Sequence, residues 1–212
     1  RVLLLSDPGL AQIGLAEQIA ASLRDGGLHV ATFFDVKTNP TVADVDAALT
    51  VARSAEVEAL VAFGGGSVID VGKAVGLLMT NGGSYADYQW RGQPITRPIL
   101  PLVAVPTTAG TGSEMTKVMV IEDEETHSKR GVLSPYLFAQ AAVLDPALTA
   151  SLPPGLSRSI PCTIEPAPLL IIATRLPRAF GCIASALLAA HNSSMVLTGI
   201  MPAWRNAPWT TP

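Results

Sequence analysis

Ala59-Leu60-Val61-Ala62-Phe63-Gly64-Gly65-Gly66-Ser67-Val68-Ile69-Asp70-Val71-Gly72-Lys73 is the stretch that decides the fold. Five apolar residues with no polar alternation suit a strand buried on both faces, as in a parallel sheet. Three glycines then strip the side chains from a sharp turn, and Val68 to Met79 continues as an apolar helix. In a strand–turn–helix of this kind the backbone N–H groups at the helix start can approach a phosphate closely, helped by the helix dipole. Ser67 adds a hydroxyl donor at the same place. The spacing is not Gly-x-Gly-x-x-Gly, and the turn follows the third predicted strand instead of the first. The run alone points to a phosphate without saying which molecule carries it, and a plain tight turn competes with that reading. Asp70 and Lys73, three residues apart on the helix, read as an ordinary i,i+3 surface pair.

Working outward, the same alternation holds on both sides. Val2 to Leu5 is a short apolar run expected to form a buried strand. Leu10, Ile13, Ala16, Ile19 and Leu23 follow at helical spacing, and Gly26-Gly27 supplies the stop. His29 to Phe34 reads as a second strand that ends at Asp35. Thr41-x-x-Asp44 can cap a helix carrying Val42, Val45, Leu49 and Ala52 on one face. Beyond the glycine turn come a strand near Ile99 to Val105, a hairpin from Lys117 to Leu133 and a short strand from Ala141 to Leu144. Strands alternating with helices predict an α/β fold, a mostly parallel Rossmann-like sheet with helices on both faces.

Directly after the predicted strand ending at Val105 stands Pro106-Thr107-Thr108-Ala109-Gly110-Thr111-Gly112-Ser113-Glu114. Its hydroxyls and glycines sit where open α/β sheets place ligands, at the carboxyl end of a strand. A solvated Thr/Gly connector is the equal competitor. Asp35, also at a strand end, can accept hydrogen bonds from ribose hydroxyls, although a turn residue before Asn39-Pro40 is the simpler reading.

The 212 residues suffice for a sizeable core, and the formal net charge of -3 gives no pull toward nucleic acid or an anionic membrane. Cys162 and Cys182 fit neither a disulfide framework nor a zinc motif, which points to a reducing compartment. Arg1 to Leu5 is too short an apolar run for a signal peptide, so a cytoplasmic protein is expected. Composition changes near Leu156. Of 17 acidic residues, 16 precede Ser157, and the last 55 residues hold seven prolines and no lysine. Two regions are therefore expected, 1–156 and 157–212. Ala179 to Ala190 is mostly small or apolar but much shorter than a membrane span.

The ordered set of Asp35, Asn39-Pro40-Thr41, the Gly64-to-Lys73 run and the Pro106-to-Glu114 loop resembles the iron-containing alcohol dehydrogenases. Lys129-Arg130-Gly131 and Leu144-Asp145-Pro146-x-Leu148-Thr149-x-Ser151-Leu152-Pro153 are similar to that family too, in the same order. The resemblance covers about three quarters of the chain. It implies a two-domain enzyme that moves hydride between an alcohol or aldehyde and NAD(P), with an N-terminal cofactor domain and an all-helical metal-binding domain. It places the pyrophosphate on Gly64, Gly65, Gly66 and Ser67, and Asp70 near the nicotinamide and its ribose. Thr107, Thr108, Thr111 and Thr116 would line the adenine and phosphate side, Lys129 would reach the nicotinamide ribose, and Asp35 the adenosine ribose. A carboxylate at Asp35 repels a 2′-phosphate and so favours NAD over NADP. The metal of the intact family, Fe(II) or Zn, would act as a Lewis acid on the substrate oxygen.

The resemblance stops where that metal is due. The family's Gly-x-Asp-x-x-x-His motif should follow Leu152-Pro153-Pro154, yet no aspartate occurs after Asp145 and His191 is the only later histidine. Glu165, Cys162 and His191 have no familiar ligand spacing, and His29 and His127 read as surface residues, so no metal ligands are assigned. Prolines at 161, 166, 168, 177, 202 and 208 cut any helix in the tail, so the helical domain is expected to be missing or replaced. An out-of-frame or misassembled coding region accounts for both observations. Translating the coding DNA in its other two frames tests this, and failure to recover the motif near this point sinks it. A truncated paralogue is the alternative.

Three functions compete: a dehydrogenase of this family, a nucleotide-binding remnant without catalysis, and a relative such as a glycerol dehydrogenase or a maleylacetate reductase. The expected partners are an alcohol or aldehyde and, with an apolar face deprived of its helical domain, further copies of the chain.

Overall fold

In the computed structural model of the chain, residues 1–124, 126–149, 170–173 and 196–197 are described. The core of the fold is a sheet with strand order β2 (Val30–Phe33), β1 (Val2–Leu5), β3 (Ala59–Gly64), β4 (Leu102–Pro106), β7 (Ala141–Leu144), β8 (Leu170–Ala173) and β9 (Val196–Leu197), and a two-stranded hairpin of β5 (Val118–Asp123) and β6 (Ser128–Leu133) stands apart from it. Strands β1 (Val2–Leu5), β2 (Val30–Phe33), β3 (Ala59–Gly64), β4 (Leu102–Pro106) and β7 (Ala141–Leu144) run parallel. The predicted parallel α/β sheet is therefore present. From the compositionally distinct tail, β8 (Leu170–Ala173) joins β7 antiparallel, and β9 (Val196–Leu197) joins β8. No strand had been predicted in the tail, and these two make the sheet mixed at that edge. The proline breaks, Cys162, Glu165 and His191 lie outside the described residues.

Side chains alternate across the sheet with period two. Leu3, Leu5, Leu60, Ala62, Leu102 and Ala104 face one core, which is covered by α3 (Val42–Ser54) and α4 (Gly66–Asn81). Val2, Leu4, Val61, Phe63, Val103 and Val105 face the other, covered by α2 (Leu15–Asp25). The near-continuous apolar runs of the sequence follow from this burial on both faces. The capping box at α3 forms as the sequence predicts. Thr41 Oγ1 accepts from the Asp44 N–H, and the Asp44 carboxylate accepts from the Thr41 N–H.

The predicted helix through Leu10 and Leu23 is two helices, α1 (Pro8–Gln12) and α2. Gly14, at φ +78°, makes the break. Ile13 falls at that corner and is 64% exposed, so it does not share the buried stripe of Ala16, Ile19 and Leu23. The short helix α5 (Tyr85–Gln89) was not predicted. The predicted hairpin is present as β5 (Val118–Asp123) and β6 (Ser128–Leu133), with Val120 opposite Gly131. Its Met119, Ile121 and Val132 join the α3–α4 core. The last described helix is α6 (Pro146–Thr149).

The order of strand addition reverses between β1 and β3, because β2 lies on one side of β1 and β3 on the other. The carboxyl ends at such a switch point form a crevice that loops can line.

Candidate functional site

Three segments meet at that crevice: the glycine turn after β3, the hydroxyl-rich loop after β4 and residues 38–40 after β2. With the hairpin they enclose a cleft of about 420 Å³. Of the residues singled out in the sequence, Gly66, Ser67, Asp70, Thr111, Thr116 and Lys129 line it. Gly64, Gly65, Thr107 and Thr108 do not line it but border it. The Thr107 N–H donates to Gly64 O at 3.0 Å, and Thr108 lies against Gly65. Asp35 is exposed beyond the end of β2, outside the lining.

The glycines are needed for close approach. A Cβ on Gly64 would meet Val68 Cγ2 at 2.5 Å, which no side chain tolerates. A Cβ on Gly66 would meet Thr111 at 3.1 Å, and one on Gly65 would meet Thr108 Oγ1 at 3.3 Å. The turn and the Thr-rich loop thus lie so close that a side chain at Gly65 or Gly66 would press on Thr108 or Thr111. Val68 and Ile69 both donate to Gly65 O, closing the first turn of α4. The amides of Gly66 and Ser67 precede any intrahelical acceptor, and they sit at the positive end of the helix. Ser67 Oγ donates to Thr38 O, tying the turn to the segment after β2. Thr108 Oγ1 is buried with no hydrogen-bond partner among the described residues. An unpaired hydroxyl beside a bare glycine turn suits an oxyanion or hydroxyl of a bound ligand.

Asp70 and Lys73 correct the surface-pair expectation. Lys73 is fully buried and Asp70 is 9% exposed. Asp70 accepts from Ser113 Oγ and, at 3.0 Å, from the Val120 N–H. Lys73 Nζ donates to Thr116 O at 2.8 Å and Val118 O at 2.7 Å. Burial pushes the Asp70 carboxyl above its ordinary range, opposed by the bonds from Ser113 and Val120 and by Lys73. Burial also lowers the Lys73 ammonium to about 8, with Asp70 and Glu114 pulling the other way. A spacing of three residues does not say which face of a helix is covered, so the sequence could not distinguish this pair from an exposed one.

Lys129 lies on the exposed rim. Its Nζ donates to Asn39 Oδ1 at 2.8 Å and stands 3.5 Å from Glu122 Oε2. Thr38, Ser113, Val118 and Val120 also line the cleft and were not chosen from the sequence. Ser113 was legible as part of the hydroxyl-rich loop, whereas the two valines arrive only through the register of the hairpin. His29 and His127 are exposed, as expected. Among the described residues no three His, Cys, Asp or Glu side chains are placed to hold a metal ion, and no helix is long and apolar enough to cross a membrane.

The family model for iron-containing alcohol dehydrogenase matches residues 1–146. The chain belongs to that family. Alcohol dehydrogenase 4 of Saccharomyces cerevisiae is 40% identical to it over 157 residues, which cover 74% of this chain and 41% of that protein. An NAD-dependent methanol dehydrogenase of Bacillus methanolicus is 38% identical over 157 residues, with the same coverage of 74% and 41%. Among solved structures, the sulfoacetaldehyde reductase of Bifidobacterium kashiwanohense in complex with NAD+ superposes with a TM-score of 0.68 at 38% identity, covering 74% of this chain and 42% of that one. The chain thus spans about two fifths of the length of these relatives. The resemblance read from the glycine turn and the Thr-rich loop is confirmed at the level of the family.

Proposed function

We propose that residues 1–156 form the dinucleotide-binding domain of an NAD-dependent alcohol dehydrogenase and that the cleft at the glycine turn holds the cofactor. The observation that carries this is the close approach of Gly65 and Gly66 to Thr108 and Thr111, which leaves little room for side chains, beside a buried Thr108 hydroxyl with no partner among the described residues. Gly64, Gly65, Gly66 and Ser67 would receive the pyrophosphate at the start of α4. Thr107, Thr108, Thr111 and Thr116 would supply hydroxyls, with Asp70 and Lys129 toward the nicotinamide ribose. Asp35 would accept from the adenosine ribose where the ligand runs past the end of β2, which favours NAD over NADP. Bound NAD would accept the hydride of an alcohol or return one to an aldehyde. The protein's part is to place the nicotinamide and shield the cleft from water.

Iron or zinc is the family's metal, and the described residues do not fit one. No step is therefore assigned to it. The relatives include dehydrogenases named for alcohol, choline and methanol, so an alcohol or aldehyde would be the substrate here, with the cytoplasm as the compartment of the reading. A second reading, NAD binding without turnover, is favoured by the absence of any aspartate after Asp145.

Calorimetric titration of the full chain with NAD, joined to metal analysis and an alcohol turnover assay, tests the proposal. NAD binding with turnover supports the dehydrogenase, and NAD binding without metal or turnover supports the second reading. No NAD binding overturns the assignment of the cleft.

A further inference from the structure

Lys73 is given no ligand contact by the resemblance and does not line the cleft, yet it is a fully buried cation. Its partners are informative. The backbone groups it holds, Thr116 O and Val118 O, alternate along the start of β5 with the N–H of Val120, which Asp70 accepts. Two residues further, the Glu122 N–H donates to Pro40 O. Residues 116, 118, 120 and 122 turn these groups the same way, as an extended chain requires. The outer edge of β5, away from β6, is thus closed by α4 side chains as far as Val120 and by the backbone of Pro40 and Thr41 at Glu122. Thr116 is also the last residue of the hydroxyl-rich segment that lines the cleft. Thr111 and Ser113 lie a few residues before it, and Ser113 is held by Asp70.

We propose that Lys73, acting with Asp70, is a positioning residue of the cleft, fixing Thr116 and β5 so that the loop from Thr107 stands over the glycine turn. It touches no ligand. It acts through the backbone it holds, and α4 is the shared frame because the helix carries the glycine turn at its start and this clamp one to two turns later. The proposal rests on the reading of the cleft as the NAD site. Lysine suits the task because one ammonium can serve several carbonyls at once, and a glutamine offers only two donors on a shorter stem. The charged and titratable groups facing it are Asp70 on α4 and Glu114 on the 3-10 turn Ser113–Met115, and Tyr85 of α5 faces Asp70.

Two measurements on the full chain test the clamp. Hydrogen exchange in the segment 107–122 is compared for the wild type, Lys73→Met and Lys73→Gln, alongside 2–5 of β1 as an internal control. NAD affinity of the same proteins is followed from pH 6.5 to 9.5. The expected result is exchange about tenfold faster in 107–122 for Lys73→Met, with β1 unchanged and a smaller rise for Lys73→Gln. NAD affinity should fall about tenfold in Lys73→Met. In the wild type it should weaken as the pH passes about 8, a step absent from both variants. If Lys73→Met lowers the melting temperature while exchange in 107–122 and NAD affinity stay as in the wild type, Lys73 is only structural and the proposal is overturned. Should the variant not fold, the Lys73→Gln comparison and the wild-type pH step decide. Should the wild type bind no NAD, the assignment of the cleft falls, and the exchange comparison alone decides whether Lys73 positions the loop.

Discussion

Two of the tethers that hold the hairpin to the rest of the domain differ in nearly every physical respect. On the inner side, Asp70 and Lys73 are buried, and between them they bond Ser113, Thr116, Val118 and Val120. On the outer side, Lys129 of the hairpin holds Asn39 beyond β2 and stands beside its cross-strand partner Glu122, their side chains 46% and 26% exposed. Buried charge-assisted bonds are costly to leave unmade, whereas exposed pairs are screened and worth little. The inner tether can therefore define geometry, while the outer one can open without much loss. That division suits a cleft whose proposed ligand-facing cation, Lys129, must exchange Asn39 for a ribose.

Removing the inner carboxylate should have the largest effect. Asp70→Ala leaves Ser113 Oγ and the Val120 N–H without their acceptor and strands the Lys73 charge in the interior. A loss of about 3 kcal/mol is expected in urea unfolding. A loss under about 1 kcal/mol would break the contrast between the tethers.

The Lys73 ammonium gives the next effect, through pH. Its folded value of about 8 lies below the ordinary 10.5. Between those values the unfolded chain keeps a proton that the folded chain releases, so stability rises with pH across that window. The difference in unfolding free energy between wild type and Lys73→Met should shift toward the wild type by on the order of 2 kcal/mol from pH 8 to pH 10.5. Lysines and tyrosines common to both proteins cancel in that difference. A flat difference would mean that the ammonium is better solvated than its burial implies.

The outer tether should respond least. Lys129→Gln, which removes the cation that holds Asn39, is expected to change stability by less than about 1 kcal/mol, and that small change should shrink further in 1 M salt. A larger, salt-insensitive cost would show that the rim clasp is a structural element in its own right.

The legibility of the molecule follows the same division between pattern and register. Buried parallel strands announce themselves because both faces are covered, so Val2–Leu5 and Ala59–Phe63 read as apolar runs. The Thr41–Asp44 capping box is legible because its partners are three residues apart. Gly14 was less so, since a single glycine does not tell a helix interior from a left-handed break. The cleft was legible as two hydroxyl- and glycine-rich segments, and the structure adds that they touch. Asp35 was read from its place at a strand end and stands outside the lining. The buried Asp70–Lys73 clamp was hidden because its partners, the Ser113 hydroxyl and three backbone groups, lie 43 to 50 residues away, which no local spacing encodes. Asn39 stood in the sequence within Asn39-Pro40-Thr41, but only the fold brings it to Lys129.

The most direct test of the account is calorimetric titration of the full chain with NAD beside Gly66→Ala. The added methyl group would stand 3.1 Å from Thr111 without touching either tether of the hairpin. The account predicts one NAD per wild-type chain and an affinity about tenfold weaker in Gly66→Ala, with the fold retained. Equal affinity in the two proteins, or no NAD binding by a folded wild type, would contradict it.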